Sequence, residues 1–227
     1  MVTSYVDRQG KRLDEYPRPS VAVDIAVLTV DAGCLSVVVV SSRHGDGLPG
    51  TFIHQGETLA VAAGRALAEK AGISGLDFHQ LAVFDEPDRD PRGWVLSVAH
   101  SAVVRRDRLP DDVQLRPARS SRSLVFDHDA IVGLAVADLE QRYEEQLDPG
   151  HLLDAEFTLL DLRRLYETIY GFEIEKDTFR RRVIGSLVET GRTTTAGGGR
   201  PAQLFGRRRD VKMNAHARLQ HLAAKGR

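Results

Sequence analysis

Cysteine is nearly missing from this chain, and so are tryptophan and long apolar stretches. Of 227 residues one is cysteine, Cys34, and one is tryptophan, Trp94. A lone cysteine forms no intramolecular disulfide and argues against a cysteine-ligated metal site, and no metal site is expected. No apolar run is long enough to span a bilayer, the run from Val37 to Val40 being typical. Residues 1–8 are polar and lack the apolar centre of a signal peptide, so the cytoplasm is the expected compartment and no membrane partner is expected. With 42% hydrophobic and 28% charged residues, the composition is that of a globular protein and excludes a disordered or collagen-like chain. The length allows one large domain or two modest ones.

Net charge is also close to absent, at −1, but it is unevenly spread. Through Gly150 there are 16 Lys/Arg against 23 Asp/Glu, whereas from Lys176 onward there are 13 against 3. An acidic body with a basic module that faces a polyanion fits this split, as does a solvated basic tail. Pro149-Gly150 punctuates a connection, which places one domain over residues 1–148 and a second over 155–227.

In the first part, residues 20–30 and 34–42 are rich in β-branched side chains and flank Asp31-Ala32-Gly33, a hairpin signature. Residues 81–84 and 94–104 read as further strands. A helix over 57–71 closes at Gly72, and a second over 129–146 carries Ile131, Leu134, Ala135, Leu139 and Tyr143 on its apolar side. Mixed strands with two helices imply an α/β or α+β sandwich, of which α/β is the expected class.

The stretch from Leu48 to Glu57, followed by Arg65-Ala66-Leu67-Ala68-Glu69-Lys70-Ala71-Gly72-Ile73, resembles a Nudix box over residues 51–73. Glu57, Arg65, Leu67, Glu69, Gly72 and Ile73 match that family's pattern at its spacing. Thr51, Ala66 and Lys70 depart from it, standing where the family has Gly, Glu and Glu. The resemblance implies an α/β/α sandwich whose box carboxylates hold Mg²⁺ against a pyrophosphate. Positions 66, 69 and 70 share one helix face. Mg²⁺ requires hard oxygen ligands, which Ala66 cannot offer, and the Lys70 ammonium repels a dication. Catalytic residues are therefore expected to be absent and hydrolysis absent or very weak, with Glu57, Arg65 and Glu69 as remnants. Lys70 is read either as a partner for a ligand phosphate or as a solvated surface lysine.

The run Asp88-Arg89-Asp90-Pro91-Arg92-Gly93-Trp94 is similar to one in Nudix proteins that bind ADP-ribose. It makes Arg43, Arg89 and Arg92 candidates for phosphates and Trp94 a candidate for a base. Loop ion pairs and a core Trp are the alternatives. Phe126-Asp127-His128-Asp129 matches another family run. There Asp127 reads as a helix cap, and His128 as a capping or packing residue in preference to a metal ligand, while His128 also joins Arg43, Lys70, Arg89, Arg92 and Trp94 as a ligand-binding candidate.

In the last part, Thr158 and Asp161 have capping-box spacing. They open a helix with Leu162, Leu165, Tyr166 and Ile169 on one face, ended by Gly171. Asp177 then caps a helix over 178–190 that ends at Gly191, and a Gly-tipped hairpin follows. This is the outline of a winged helix-turn-helix, which lays its second helix in the DNA major groove. On a helical wheel Phe179, Val183, Ile184 and Leu187 face inward. Thr178, Arg181 and Arg182 face out, and Arg180 lies beside the apolar side. Lys176, Thr178, Arg181, Arg182, Arg192, Arg200 and Gln203 are the candidate DNA contacts, with Arg207, Arg208, Arg209 and Lys212 adding sequence-blind attraction.

The order of both halves is similar to the NrtR-type regulators of bacterial NAD metabolism. That resemblance implies a homodimeric repressor that binds a double-stranded DNA operator. It has no cofactor and takes ADP-ribose or a related NAD derivative as effector. The alternatives are an active ADP-ribose pyrophosphatase and a regulator that senses a sugar or sugar phosphate.

Overall fold

A computed structural model of the chain describes residues 6–120, 123–195 and 201–208. The first half is built on a mixed sheet. Strand β1 (Ser20–Asp31) turns through Ala32 and Gly33, both at positive φ, into β2 (Cys34–Ser42). Two such residues form the tight turn whose twist matches antiparallel strands. Strands β3 (Gly45–Gly47) and β4 (Gly50–Phe52) lead to helix α1 (Leu59–Ala71). Strands β5 (His79–Phe84), β6 (Val95–Val103) and β7 (Gln114–Pro117) lead to helix α2 (His128–Glu145). The sheet runs β3-β2-β1-β6-β5, with β4 on β1 and β7 on β2. β1 and β6 are parallel, from Ser20 opposite Val95 to Leu28 opposite Val103.

β1 is buried on both faces, and its two-residue period sorts it between two layers. Val23, Ile25 and Val27 pack with Ala62, Ala63, Ala66 and Leu67 of α1. Ala26 and Leu28 pack with Ile131, Val132, Ala135 and Leu139 of α2. The result is an α/β/α sandwich. Helix α1 starts two residues later than the sequence suggests, because Thr58 caps it at Val61 N–H and Glu57 is committed elsewhere. Gly72 ends it at φ 65°, a conformation glycine adopts without a Cβ clash. Leu134, expected on the apolar side of α2, is 45% exposed.

Helix α3 (Leu159–Tyr170) has the expected reciprocal box between Thr158 and Asp161 and ends at left-handed Gly171. Helix α4 (Lys176–Val183) corrects the sequence reading. Its cap is Glu175, not Asp177, and it stops at Val183. A 3-10 turn and strand β8 (Leu187–Thr194) take up the rest of the expected helix, and β8 pairs with β9 (Ala202–Arg207). Leu187 is buried with Phe205, and the hairpin ladder outweighs local helical periodicity. Gly191, read as a helix stop, lies where the β8–β9 register shifts. Helix, turn, helix and hairpin make a winged helix-turn-helix. Its apolar side is continuous with the core around α2, so one cluster runs from Ala26 to Phe205.

Candidate functional site

A cavity of about 220 Å³ opens where β1, β4, the loop before β6 and the start of α2 converge. Asp24 lies at its floor. It is the one charged residue in the buried run of β1, and its lining role was not anticipated. A carboxylate inside an otherwise apolar strand was the signal for it. Its Oδ2 accepts from the Ser97 hydroxyl, and its Oδ1 lies 3.4 Å from His128 Nε2. Burial pushes the Asp24 carboxyl up, but His128, Ser97 and Arg89 together hold it below the ordinary carboxylate value. His128 Nδ1 accepts from Leu48 N–H at 2.9 Å, so the ring proton sits on Nε2 and points at Asp24. Two glycines make room for this pair. A Cβ on Gly50 would stand 1.9 Å from Asp24 Oδ1, and one on Gly47 would stand 2.9 Å from His128 Nδ1.

Arg92 forms the polar wall. Asp90 holds it in a fork, with Nε–Oδ1 at 2.9 Å and Nη2–Oδ2 at 2.6 Å. Its guanidinium lies 5.3 Å from the Phe52 ring and 5.1 Å from the Phe126 ring. Phe126 stands at φ 55°, a backbone state a bulky residue adopts only when its surroundings impose it. Phe52, Asp90 and Phe126 are not among the ligand candidates of the sequence, although each lies in a run that resembles the family.

Arg89, with 4% of its side chain exposed, is tied to Asp127 by bonds of 2.7 and 2.6 Å. Asp127 therefore pairs with Arg89 and makes no side-chain capping bond. Lys70 is exposed at the rim of the cavity and donates to the Gly50 carbonyl. Two candidates lie elsewhere. Arg43 is exposed and donates to His44 Nε2 at 3.0 Å, and Trp94 is 49% exposed and does not line the cavity.

The residues of the box are ill-suited to a divalent cation. Glu57 is forked to Arg65 at 2.8 and 2.9 Å, and that pairing lowers its carboxyl to about 2. Glu69 points to solvent 3.8 Å from Arg65, and Ala66 is fully buried against the sheet. Lys70 places a cation where the third carboxylate would stand.

At the other end of the molecule, Lys176, Arg180 and Arg181 are exposed on α4, and Thr178 is half-buried. Arg181 donates to the Asp177 carbonyl and to Thr178 Oγ1, both at 3.3 Å. The wheel is corrected at three positions. Arg180 faces solvent instead of the core, Ile184 is 40% exposed, and Arg182 is buried and donates to the Glu144 carbonyl at 3.2 Å. These shifts accompany the early end of α4 and the contact of Arg182 with the end of α2. On the hairpin, Arg192 is exposed and pairs with Glu156 at 2.7 Å, and Gln203 is exposed on β9. Arg207, expected to add surface charge, is instead mostly buried and bound to Asp148. Arg208 is exposed, whereas Arg200, Arg209 and Lys212 lie outside the described residues.

Residues 18–148 match the NUDIX domain, and residues 149–206 match the NrtR DNA-binding winged helix domain. The chain is 33% identical over 208 residues to the ADPR responsive transcriptional repressor NtrR of Acinetobacter baylyi, an alignment that covers 84% of this chain and 83% of that one. The chain belongs to the NrtR family. Shewanella oneidensis NrtR, solved in complex with a 27mer DNA, superposes with a TM-score of 0.70 at 29% identity, covering 86% of this chain and 99% of that one. The NUDIX domain of the same Shewanella protein, solved with ADP ribose, matches 58% of this chain and 95% of its own length, with a TM-score of 0.50 and 27% identity. The cavity and the arginine-bearing helix thus lie in the two halves that define an NrtR protein.

Proposed function

We propose that this NrtR-family protein is a homodimeric repressor of genes of NAD metabolism. Residues 1–148 sense ADP-ribose or a related NAD derivative, and residues 155–227 bind operator DNA in the cytoplasm. The observation that carries the reading is the pairing within one chain of a box whose cation positions are Ala66 and Lys70 with a recognition helix that exposes Arg180 and Arg181. Hydrolysis is absent or very weak, because no carboxylate set remains to hold a cation against a pyrophosphate. Binding is retained. Lys70 exchanges a neutral carbonyl for a ligand phosphate, and Phe52 and Phe126 offer ring faces to a purine. His128 and Arg89 hold the cavity in shape rather than meeting the ligand.

Lys176, Thr178, Arg181, Arg192 and Gln203 face the duplex, and Arg200, outside the described residues, is assigned to the same task from the sequence. A single winged module reads few base pairs, whereas a two-fold dimer reads two half-sites. Ligand shifts DNA affinity only through its different affinity for the DNA-competent and DNA-incompetent arrangements. Gel shifts on the fragment upstream of the protein's own gene, with and without ADP-ribose, test this. A retarded band that ADP-ribose removes is expected, and no band at any protein concentration refutes the reading. A turnover assay with ADP-ribose and Mg²⁺ or Mn²⁺ separates the regulator from a pyrophosphatase, since brisk release of AMP contradicts the proposal. Thermal shifts across NAD derivatives, sugars and sugar phosphates identify the effector. A ligand at 100 times its Kd adds about 2.7 kcal/mol of stability, which for a chain of this size raises Tm by roughly 5–10 °C.

A further inference from the structure

Helix α2 reaches from the cavity to the DNA-reading half. Its first residue, His128, is buried in the cavity against Leu48 and Asp24, and the preceding Asp127 holds Arg89. Its 18 residues extend about 27 Å at 1.5 Å per residue. At the far end, backbone carbonyls of α2 are taken by side chains of the second half. The Tyr170 hydroxyl donates to Glu140 O at 2.9 Å, Arg182 Nη2 to Glu144 O at 3.2 Å, and the Tyr166 hydroxyl to Gln146 O at 3.3 Å. Glu144 and Gln146 lie beyond the last helical acceptors, so these carbonyls need partners from outside the helix. Between the two ends, Ile131, Val132, Ala135 and Leu139 share one core with Leu165 of α3 and Phe179 of α4. A close-packed interior transmits displacement instead of absorbing it.

Arg182 is incompletely satisfied in this arrangement. It is 8% exposed, and its Nε and Nη1 are buried without a hydrogen-bond partner among the described residues. The same holds for Glu144 Oε1, on the residue whose carbonyl Arg182 already touches. A buried charge left half-paired is costly, which favours any second arrangement that pairs it.

We infer that α2 is the strut that carries the state of the ligand cavity to the recognition helix. Arg182 is its positioning contact, held by the Glu144 carbonyl in the arrangement seen and by the Glu144 carboxylate in the alternative one. The inference rests on the repressor reading above. It removes Arg182 from the DNA contacts and gives it the task of setting how α4 is presented.

The test measures Kd for the fragment upstream of the protein's own gene by fluorescence anisotropy. It uses full-length wild type, Glu144→Gln, Arg182→Met and Arg181→Ala over a salt series, with and without ADP-ribose. Glu144→Gln keeps the backbone carbonyl, so its ligand-free DNA affinity and its calorimetric ADP-ribose affinity stay at wild-type values. The factor by which ADP-ribose changes DNA affinity shrinks roughly five-fold or more. Arg182→Met loses the same response at an unchanged salt slope, whereas Arg181→Ala lowers the slope by about one and keeps the response. If Arg182→Met does not fold, Glu144→Gln decides alone. Wild-type protein whose DNA affinity ignores ADP-ribose overturns the repressor reading itself. A responsive wild type with an equally responsive Glu144→Gln overturns only the strut. A slope loss in Arg182→Met equal to that of Arg181→Ala makes Arg182 a phosphate contact and ends its positioning role.

Discussion

Replacing Asp148 by asparagine removes one negative charge and changes almost nothing else in shape. Asp148 is fully buried at the junction of the two halves and stands at φ 44°, a left-handed state that asparagine also tolerates. Its Oδ1 accepts from the Tyr143 hydroxyl at 2.6 Å and from Leu152 N–H at 2.9 Å. Its Oδ2 accepts from Leu153 N–H at 3.1 Å and from Arg207 Nε at 3.1 Å, with Arg207 Nη2 as a further donor. An asparagine amide can serve the first oxygen's partners, but its NH2 group then faces the donors at the second. Breaking a buried ion pair from one side costs about 3–5 kcal/mol. At roughly 2–4 °C per kcal/mol for a chain of this size, Tm falls by about 10 °C. Thermal melts followed by far-UV circular dichroism check this, and a Tm within about 2 °C of wild type would refute the buried-pair argument. Arg207→Met supplies the control. The double variant is expected to be at least about 1 kcal/mol less destabilised than the sum of the singles, because each single change leaves its partner uncompensated. Additive effects would mean that the two side chains act independently.

Three further outcomes follow from the same geometry. The Glu57 carboxyl is lowered from 4.5 to about 2 by Arg65, so its contribution to stability is fully present above about 4.5 and is lost as pH falls toward 2. Tm should therefore decline more steeply over that window in wild type than in Glu57→Gln, and parallel curves would sink the assignment. Arg92→Ala removes the guanidinium between Phe52 and Phe126 and is expected to weaken ADP-ribose binding about ten-fold, or 1.4 kcal/mol, by isothermal calorimetry; an unchanged Kd would place the ligand elsewhere. Arg180→Ala, exposed on α4 against the wheel's expectation, is expected to reduce the salt dependence of DNA binding by about one phosphate contact, and an unaltered slope would show that it faces away from the duplex.

Local signals carried far where a residue's conformation depends on its chain neighbours. Gly72 and Gly171 end their helices, and Thr158 with Asp161 closes a box, because these are contacts within one turn. The β1–β2 hairpin was readable from its turn and its β-branched runs. The site was readable only in part. Lys70, Arg89, Arg92 and His128 line the cavity as candidates, whereas Asp24, Phe52 and Phe126 reach it from three separate segments. Periodicity along a helix also misjudged α4, since its length was decided by the partner strand of β8.

Composition and spacing alone determined an acidic first half followed by a basic helix-turn-helix, and the resemblance to a Nudix box added that Ala66 and Lys70 stand where that family has carboxylates. Those properties depend on residue identity and on short-range geometry. Only the tertiary structure decided which charges are spent inside. Arg182 and Arg207 look like surface arginines in the sequence, but Arg182 is buried with one bond to the Glu144 backbone carbonyl, and Arg207 is ion-paired to the buried Asp148. Burial of a charge is set by the partner that meets it across the fold, and no spacing within a segment encodes that partner.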